Sequence, residues 1–348
     1  MKTIAIFRTG GIGDVILSTI SLNIIYKNLP DCKVVWFGRK ETCDLVRFCF
    51  PDTIVKELDP KFSYKENLSL IKNSAGKIDL VLDLQRSART MILGKITARK
   101  NNCAYITWNK FSLQRTLMVI SAYIRGRKGN FRLSGKNLKQ RYEAMAEATY
   151  SALEKSGLKK DQITSVAYPS LISASPNKTN TIAISPGALY EAKQFPVEKL
   201  INVTESILLK NNIEKVFIVG DNNIANTAAK IQNAFKNKLP VENLTGKTNL
   251  VELSQILKEC KITLAMDSAI SHLSESVGTP VVNFFGPTTE RFGYRVFLPH
   301  SKSFSVELSC RPCTKGGDTK CRYGDFKCMH SLSEIEITNH LNSVLPTL

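Results

Sequence analysis

The chain has 348 residues, of which 43% are apolar, and a formal net charge of +18. The apolar residues are spread along the chain, and no run approaches the roughly 18 uninterrupted apolar residues of a membrane span. This composition excludes a transmembrane helix and suits a globular protein of two ordinary domains. Arg8 and Asp14 interrupt the first apolar run. We therefore expect no signal peptide and a cytoplasmic protein.

The first half of the chain alternates strands and helices. A short apolar run at Thr3–Phe7 precedes a glycine-containing turn, a helical pattern at Val15–Asn28 and a second apolar run at Lys33–Phe37. This order is a βαβ unit and predicts a parallel sheet. The nearly continuous apolar run at Asp79–Leu84 predicts a further strand, buried on both faces.

The second half repeats the same alternation after a stretch that lacks helical periodicity. We interpret residues 166–180, which contain Pro169 and Pro176, as the interdomain linker. Four strands are predicted beyond it, at Thr181–Ser185, Lys215–Val219, Ile262–Ala265 and Val281–Phe285. Four helices are predicted between them, at Val197–Lys210, Ile224–Phe235, Leu250–Lys258 and Ile270–Val277.

The predicted fold is therefore α/β, with two doubly wound Rossmann-like domains facing a cleft. We assign residues 1–168 and 178–332 to the two domains. Residues 333–348 form an amphipathic C-terminal helix, with Ser333 as its N-cap, that we expect to pack back on the first domain. Ligands of such sheets bind beyond the carboxyl ends of the strands, so the loops there are the candidate sites.

The loop after the first strand runs from Arg8 to Asp14 and contains three glycines. Its glycine spacing fits a dinucleotide fingerprint poorly, because Ile16 stands where the third glycine belongs. Arg39 and Lys40 after the second strand would suit a 2′-phosphate, so an NADP-dependent oxidoreductase stays an alternative. Asp14 is either a helix cap or a general base held by the glycine loop.

Three loops of the second half have phosphate-compatible chemistry. Small residues at a helix N-terminus offer free N–H groups to a diphosphate, and a lysine can balance its charge. The His in the second loop is alternatively a packed, hydrogen-bonded side chain. The loops are Ser185-Pro186-Gly187-Ala188 leading to Lys193, Asp267-Ser268-Ala269-Ile270-Ser271-His272, and Gly286-Pro287-Thr288-Thr289.

Together these motifs resemble the bacterial heptosyltransferases of glycosyltransferase family nine, which build the inner core of lipopolysaccharide. The resemblance spans nearly the whole chain. The matching segments are Gly13–Thr19, Asp79–Gln85 with Arg89, Pro186-Gly187 with Lys193 and Pro196, Met266–Leu273, and Gly278–Thr288.

The resemblance implies a GT-B fold with an acceptor-binding N-terminal domain and a nucleotide-sugar-binding C-terminal domain. It also implies inverting transfer of a heptose from an ADP-sugar without a metal or other cofactor, with Asp14 as the general base and Lys193 as a second catalytic residue. GT-B transferases with another nucleotide-sugar stay an alternative. The expected donor-binding residues are Gly13, Ser185, Gly187, Lys193, Asp267, Ser268, Ala269, His272, Gly286, Pro287 and Thr288, and the expected acceptor-binding residues are Arg8, Gln85, Arg86 and Arg89.

The positive charge is concentrated in the first half of the chain. Residues 1–175 carry 29 Lys and Arg against 14 Asp and Glu, and no acidic residue lies between Asp83 and Glu143. This window is either a solvated basic face or a surface for an anionic partner, such as phosphorylated lipid, membrane headgroups or nucleic acid. Together with the resemblance, it implies a phosphorylated lipid acceptor and peripheral contact with the inner face of the cytoplasmic membrane. A nucleic-acid-binding protein is the alternative, although no recognised nucleic-acid module is present.

Four of the nine cysteines cluster near the end of the chain, at Cys310, Cys313, Cys321 and Cys328. A structural zinc site, free thiols and disulfides are the three interpretations. Zinc sites usually have two closely spaced pairs of ligands, and here only the first pair is close in sequence.

Overall fold

The computed structural model describes residues 2–348 except 60, 62, 128–136, 177, 209 and 319. The chain forms two compact units. The first contains Met1–Lys110 and Lys139–Ile172, and the second contains Phe111–Leu138 and Ser173–Leu348. The division after Ile172 falls inside the predicted linker.

Short apolar runs give the strands, which are β1 (Thr3–Phe7), β2 (Lys33–Gly38), β3 (Ile54–Glu57), β4 (Leu80–Asp83), β5 (Ala104–Thr107), β6 (Thr181–Ser185), β7 (Lys215–Ile218), β8 (Val241–Asn243), β9 (Ile262–Met266), β10 (Val281–Phe285) and β11 (Lys302–Ser305). The helices are α1 (Ile12–Ser18), α2 (Ile20–Asn28), α3 (Lys40–Cys49), α4 (Tyr64–Ala75), α5 (Ala88–Asn101), α6 (Ser112–Arg125), α7 (Arg141–Lys155), α8 (Val197–Leu208), α9 (Ala225–Phe235), α10 (Leu250–Glu259), α11 (Ala269–Ser276), α12 (Lys327–His330) and α13 (Glu334–Val344). Each strand predicted from the sequence is present within one residue at either end.

Each unit contains one parallel sheet. The described strands of the first unit are ordered β3-β2-β1-β4-β5, and those of the second are ordered β11-β10-β9-β6-β7-β8. In the first sheet Ala5 pairs with Val35 on one side and Val81 on the other. Every residue of β1, β4, β6, β9 and β10 is buried, as expected for parallel strands covered by helices on both faces.

The helical pattern predicted at Val15–Asn28 is divided into α1 and α2 at Thr19. The Ser18 hydroxyl donates a hydrogen bond to the Val15 carbonyl at 2.6 Å, and the Thr19 hydroxyl donates one to the Ile16 carbonyl at 2.7 Å. Such bonds compete with the helical backbone pattern. The Thr19 N–H correspondingly bonds Ile16, three residues back, instead of the carbonyl four residues back.

Helix α6 belongs to the second unit, although the sequence analysis placed its residues in the first domain. The Arg115 guanidinium lies over the ring of Phe292 at 5.0 Å from the centroid, and the Ser309 hydroxyl donates to the Gly126 carbonyl at 2.7 Å. Arg125 donates to the Ser309 carbonyl at 3.3 Å. These contacts hold both ends of the helix on the second unit.

The C-terminal helix α13, which we expected to pack on the first domain, lies in the second unit. Ser333 caps it as predicted, since its hydroxyl accepts a hydrogen bond from the Glu336 N–H. Ile337 and Leu341 are fully buried in the same core as Leu200 and Val203 of α8. The apolar face of this amphipathic helix therefore completes the core of the second unit.

In the described part of the chain, no helix has the length and apolarity needed to cross a membrane.

Candidate functional site

The strand order places two polar clusters at switch points of the two sheets. In the first sheet, the chain leaves β1 toward β2 on one side and later adds β4 on the other. The loops after β1 and β4 therefore diverge and leave a crevice, where ligands of such folds bind. Asp14 follows β1 and Gln85 follows β4.

The carboxylate of Asp14 is held by two arginines. Its Oδ1 lies 2.9 Å from Nε of Arg141, and its Oδ2 lies 3.2 Å from Nη2 of Arg8. The Arg side chains are 5% and 1% exposed, whereas that of Asp14 is 28% exposed. Two guanidinium groups favour the ionised carboxylate and fix its orientation, while one side of it stays open to solvent.

Arg8 is fixed in turn by the backbone after β4, and Arg141 lies over the ring of Trp108. Arg8 donates to the Leu84 carbonyl at 2.6 Å. The indole N–H of Trp108 donates to the same carbonyl at 2.8 Å, and the Arg141 guanidinium lies 4.8 Å from the Trp108 ring centroid. The sequence analysis did not single out Arg141, because it begins α7 well over a hundred residues from Asp14.

Lys110 is a further cation near this cluster that the sequence analysis did not assign to the site. Burial, together with the positive charges of Arg8 and Arg141, lowers the pKa of its ammonium group to about 8. Asp14 and Asp83 act in the opposite direction. The first unit therefore concentrates cations around one carboxylate.

The expected acceptor-binding residues separate into two groups. Gln85 and Arg89 line a small cavity of about 160 Å³ together with Thr9. Arg8 is almost inaccessible, and Arg86 directs its guanidinium to the Trp108 carbonyl at 2.9 Å. The structure thus leaves Gln85 and Arg89 in contact with a cavity, while Arg8 and Arg86 bond to protein groups.

In the second unit, three separate loops meet at one carboxylate. Strand β9 lies between β6 and β10, so the loops after these strands share one edge of the sheet. The Lys193 ammonium lies 2.7 Å from Oδ2 of Asp267, and the Thr288 hydroxyl donates to the same oxygen at 2.6 Å. These are three of the predicted donor-binding residues, and the structure brings them together.

Helix α11 begins beside this carboxylate. Ser268 is its N-cap and Ala269 its first residue, so the N–H groups of its first turn lie directly after Asp267. His272, one turn further, is 6% exposed and stacks on Tyr294 with 5.6 Å between ring centroids. His272 is therefore a buried side chain packed against Tyr294.

The remaining predicted donor-binding residues lie in the loops after the strands and fix the backbone there. Ser185 is buried at the end of β6, and a Cβ at Gly187 would lie 2.2 Å from Ile224, so only glycine fits there. Pro287 accepts a hydrogen bond from the Cys313 N–H at 2.8 Å, in the turn between Gly286 and Thr288. Gly13 lies in the first unit, within the first turn of α1.

Two residues that the sequence analysis missed support the second cluster. Gly317 has a φ of 88°, and a Cβ there would lie 2.3 Å from Cε of Lys193. Arg311 is buried and donates to the carbonyls of Phe285 and Thr288, at 3.2 and 2.9 Å. Nothing in the sequence marks either residue, because each acts through loops that meet only in the folded chain.

The four clustered cysteines line one cavity of about 220 Å³ in the second unit. All are free thiols. Burial, together with the neighbouring thiols, raises the pKa of Cys313 to about 12. Among the described residues, no group of His, Cys, Asp or Glu side chains is placed to hold a metal ion.

Comparisons with known proteins agree with this architecture. A model of glycosyltransferase family 9 (heptosyltransferase) matches residues 74–324. The lipopolysaccharide core heptosyltransferase OpsX of Haemophilus influenzae is 24% identical over 292 residues, which cover 82% of this chain and 79% of that protein.

Solved structures match over the whole chain. The glycosyl transferase family 9 structure from Veillonella parvula has a TM-score of 0.67 at 19% identity, covering 100% of this chain and 98% of that one. ADP-heptose lipopolysaccharide heptosyltransferase II of E. coli has a TM-score of 0.67 at 14% identity, covering 100% and 99%. These matches confirm the predicted GT-B fold. Since the family model covers most of the chain, the protein belongs to glycosyltransferase family 9, the heptosyltransferases.

Proposed function

We propose that this protein transfers a heptose from ADP-heptose to the inner core of lipopolysaccharide, with Asp14 as the general base. The observation that carries the proposal is the fixed Asp14 carboxylate, which Arg8 and Arg141 orient and keep ionised. Two of the similar proteins named above are lipopolysaccharide heptosyltransferases, and this favours a transferase over an oxidoreductase or a nucleic-acid-binding protein.

In the proposed reaction an acceptor hydroxyl attacks the anomeric carbon of the donor sugar. The hydroxyl proton passes to a carboxylate oxygen of Asp14 as the new C–O bond forms. The bond from the anomeric carbon to the diphosphate oxygen breaks, and ADP leaves with the bonding electrons. A weak base suffices here, because the hydroxyl becomes acidic only as its oxygen bonds the oxocarbenium-like carbon.

The second unit supplies the donor side of the proposal. The departing diphosphate gains negative charge, which the Lys193 ammonium and the N-terminal amides of α11 stabilise. In the free protein Lys193 is paired with Asp267, which keeps its charge in place before the donor binds. The Thr288 hydroxyl donates to the same oxygen of Asp267 and fixes its orientation.

The first unit supplies the acceptor side. Gln85 and Arg89 at the cavity after β4 offer an amide and a guanidinium to a phosphorylated sugar. The window without acidic residues between Asp83 and Glu143 favours the same partner, and we propose peripheral contact with the inner face of the cytoplasmic membrane. Lys128, Arg132 and Lys136 of that window lie outside the described residues.

The test is turnover of ADP-heptose with a truncated lipopolysaccharide acceptor, comparing wild type with Asp14→Ala and Asp14→Asn. We expect ADP release by wild type and a loss of roughly a hundredfold or more in kcat for both variants. Unchanged melting temperature and ADP affinity would show that the loss is chemical. Turnover of Asp14→Asn within tenfold of wild type would reject Asp14 as the base, and absent wild-type turnover would direct the search to other nucleotide-sugars.

A further inference from the structure

Helix α6 carries an exposed apolar stripe that the proposed reaction does not use. Leu113, Leu117, Ile120 and Ile124 are 69%, 54%, 48% and 77% exposed. Their spacing of four, three and four residues places them within an arc of about 60° at 3.6 residues per turn. Isolated exposed apolar residues are ordinary, but a continuous stripe along one helix marks an interaction surface.

The opposite face of the helix is anchored to the second unit. Ala122 is fully buried, and the Arg115 guanidinium lies over Phe292. Both residues project about 180° from the stripe at 100° per residue. The stripe is therefore presented outward by a helix whose other face is fixed.

The charges on and beside the helix indicate what kind of surface it contacts. The described residues 111–127 contain no acidic residue, but their arginines are engaged by the second unit, since Arg115 lies on the anchored face, Arg125 donates to the Ser309 carbonyl and Arg127 is paired with Asp325. The exposed cations beside Tyr123 are Lys320 and Lys327. Arg322 adds a cation at the edge of the stripe, where its guanidinium lies 4.5 Å from the ring centroid of Tyr123. Tyr123 is itself 66% exposed, and tyrosine rings favour the headgroup level of a bilayer.

We infer that α6 is a membrane-docking helix, whose stripe inserts among the acyl chains of a bilayer while Lys320, Arg322 and Lys327 contact anionic headgroups. A second copy of the chain is disfavoured as the occupant, because pairing two α6 helices would bring like charges together. The inference deepens the membrane contact of the proposed function and assigns it to one helix.

The test measures binding to vesicles of phosphatidylglycerol and phosphatidylcholine by co-sedimentation. We expect the full-length double variant Leu117→Glu/Ile124→Glu to bind at least tenfold more weakly than wild type. The matched control is Ile335→Glu/Asn339→Glu, which replaces a 72% exposed isoleucine and an exposed asparagine of α13 and adds the same two negative charges. Binding by the double variant equal to that of the control would overturn the inference.

Insertion is distinguished from electrostatic adsorption by a reporter variant, Leu117→Trp. We expect its emission to shift to shorter wavelength with phosphatidylglycerol vesicles and to be quenched by lipids brominated on the acyl chains. An unquenched tryptophan on bound protein would overturn the inference, as would a stripe that mediates dimerisation in sedimentation velocity without binding vesicles.

The outcome does not depend on the transferase activity. With a water-soluble, deacylated acceptor, the double variant should turn over as fast as wild type. Vesicle binding can be measured even if the protein transfers another sugar, so failure of the docking inference and failure of the proposed function give different results.

Discussion

The Lys193 ammonium reaches Asp267 only while its side chain keeps its path across the loop that contains Gly317. That glycine adopts a left-handed conformation and leaves no room for a Cβ beside Cε of Lys193. The loop therefore packs against the Lys193 side chain and restricts its conformation. A change at Gly317 would alter the proposed donor site without touching a charged group.

We predict that Gly317→Ala lowers the affinity for ADP at least tenfold, because the added methyl group displaces the Lys193 side chain. Isothermal titration with ADP measures this directly. Left-handed backbone also costs an alanine about 1–2 kcal/mol, so the melting temperature should fall as well.

Variants at two other glycines distinguish the displacement of Lys193 from the cost of the left-handed backbone. Gly316→Ala adds a methyl group where the nearest atom is 3.9 Å away, and should leave both ADP affinity and stability unchanged. Gly324 has a φ of 74° and open space around it, so Gly324→Ala should lower stability alone. Equal ADP affinity of all three variants would refute the role of Gly317.

At the scale of elements, α11 connects the proposed donor site to the segment beyond β10. Glu275 of this helix is fully buried and accepts hydrogen bonds from the N–H groups of Phe297 and Leu298, at 2.7 and 2.9 Å. Burial raises the pKa of Glu275 to about 7, although the hydrogen bonds from the backbone act against the shift. The helix is therefore held by a carboxyl group that titrates near neutral pH.

This pKa predicts a pH-dependent stability. Because the folded state binds the Glu275 proton more tightly than the unfolded state, the free energy of unfolding falls as the pH rises from about 4.5 to about 7. The contribution amounts to about 3 kcal/mol over that range. Glu275→Gln keeps an oxygen that accepts both hydrogen bonds and cannot titrate, so its stability relative to wild type should increase with pH.

Urea unfolding at several values between pH 5 and pH 8 measures the difference. Glu336→Gln, an exposed carboxylate on α13, is the control and should follow wild type. A constant difference between Glu275→Gln and wild type across this range would contradict the prediction.

The sequence predicted the helices and strands more accurately than it predicted which distant residues contact one another. Apolar runs and the loops after β1, β6, β9 and β10 could be found from local pattern, and strand order then brought Lys193, Asp267 and Thr288 to one place. Arg141 and Arg311 could not be found in this way. Each bonds to residues distant in sequence, and local pattern carries no information about such contacts.

At the scale of the whole molecule, the two units do not follow the order of the chain. The first unit is interrupted by residues 111–138, and the second includes both α6 and α13. The predicted domain of residues 178–332 therefore lacks two helices of the compact unit. Sequence periodicity found α13 but could not show which core its apolar face completes.

We predict that deletion of residues 333–348 prevents stable folding of the second unit. The deletion removes Ile337, Leu341 and Leu345, which are buried in its core, and each contributes about 1.5–3 kcal/mol. The soluble yield and the melting temperature should both fall sharply. Leu341→Ala should lower the free energy of unfolding by about 2–5 kcal/mol. Ile335→Ser, at an exposed position of the same helix, should change it little.

The placement of α6 also bears on how the chain folds as it is synthesised. This helix leaves the ribosome before any strand of the second sheet exists, since β6 begins only at Thr181. Its inner face must wait for Phe292 and Ser309, which are made much later. The nascent chain therefore carries α6 with its inner face unanchored until residue 309 has been made, and the helix is fixed in place only late in synthesis.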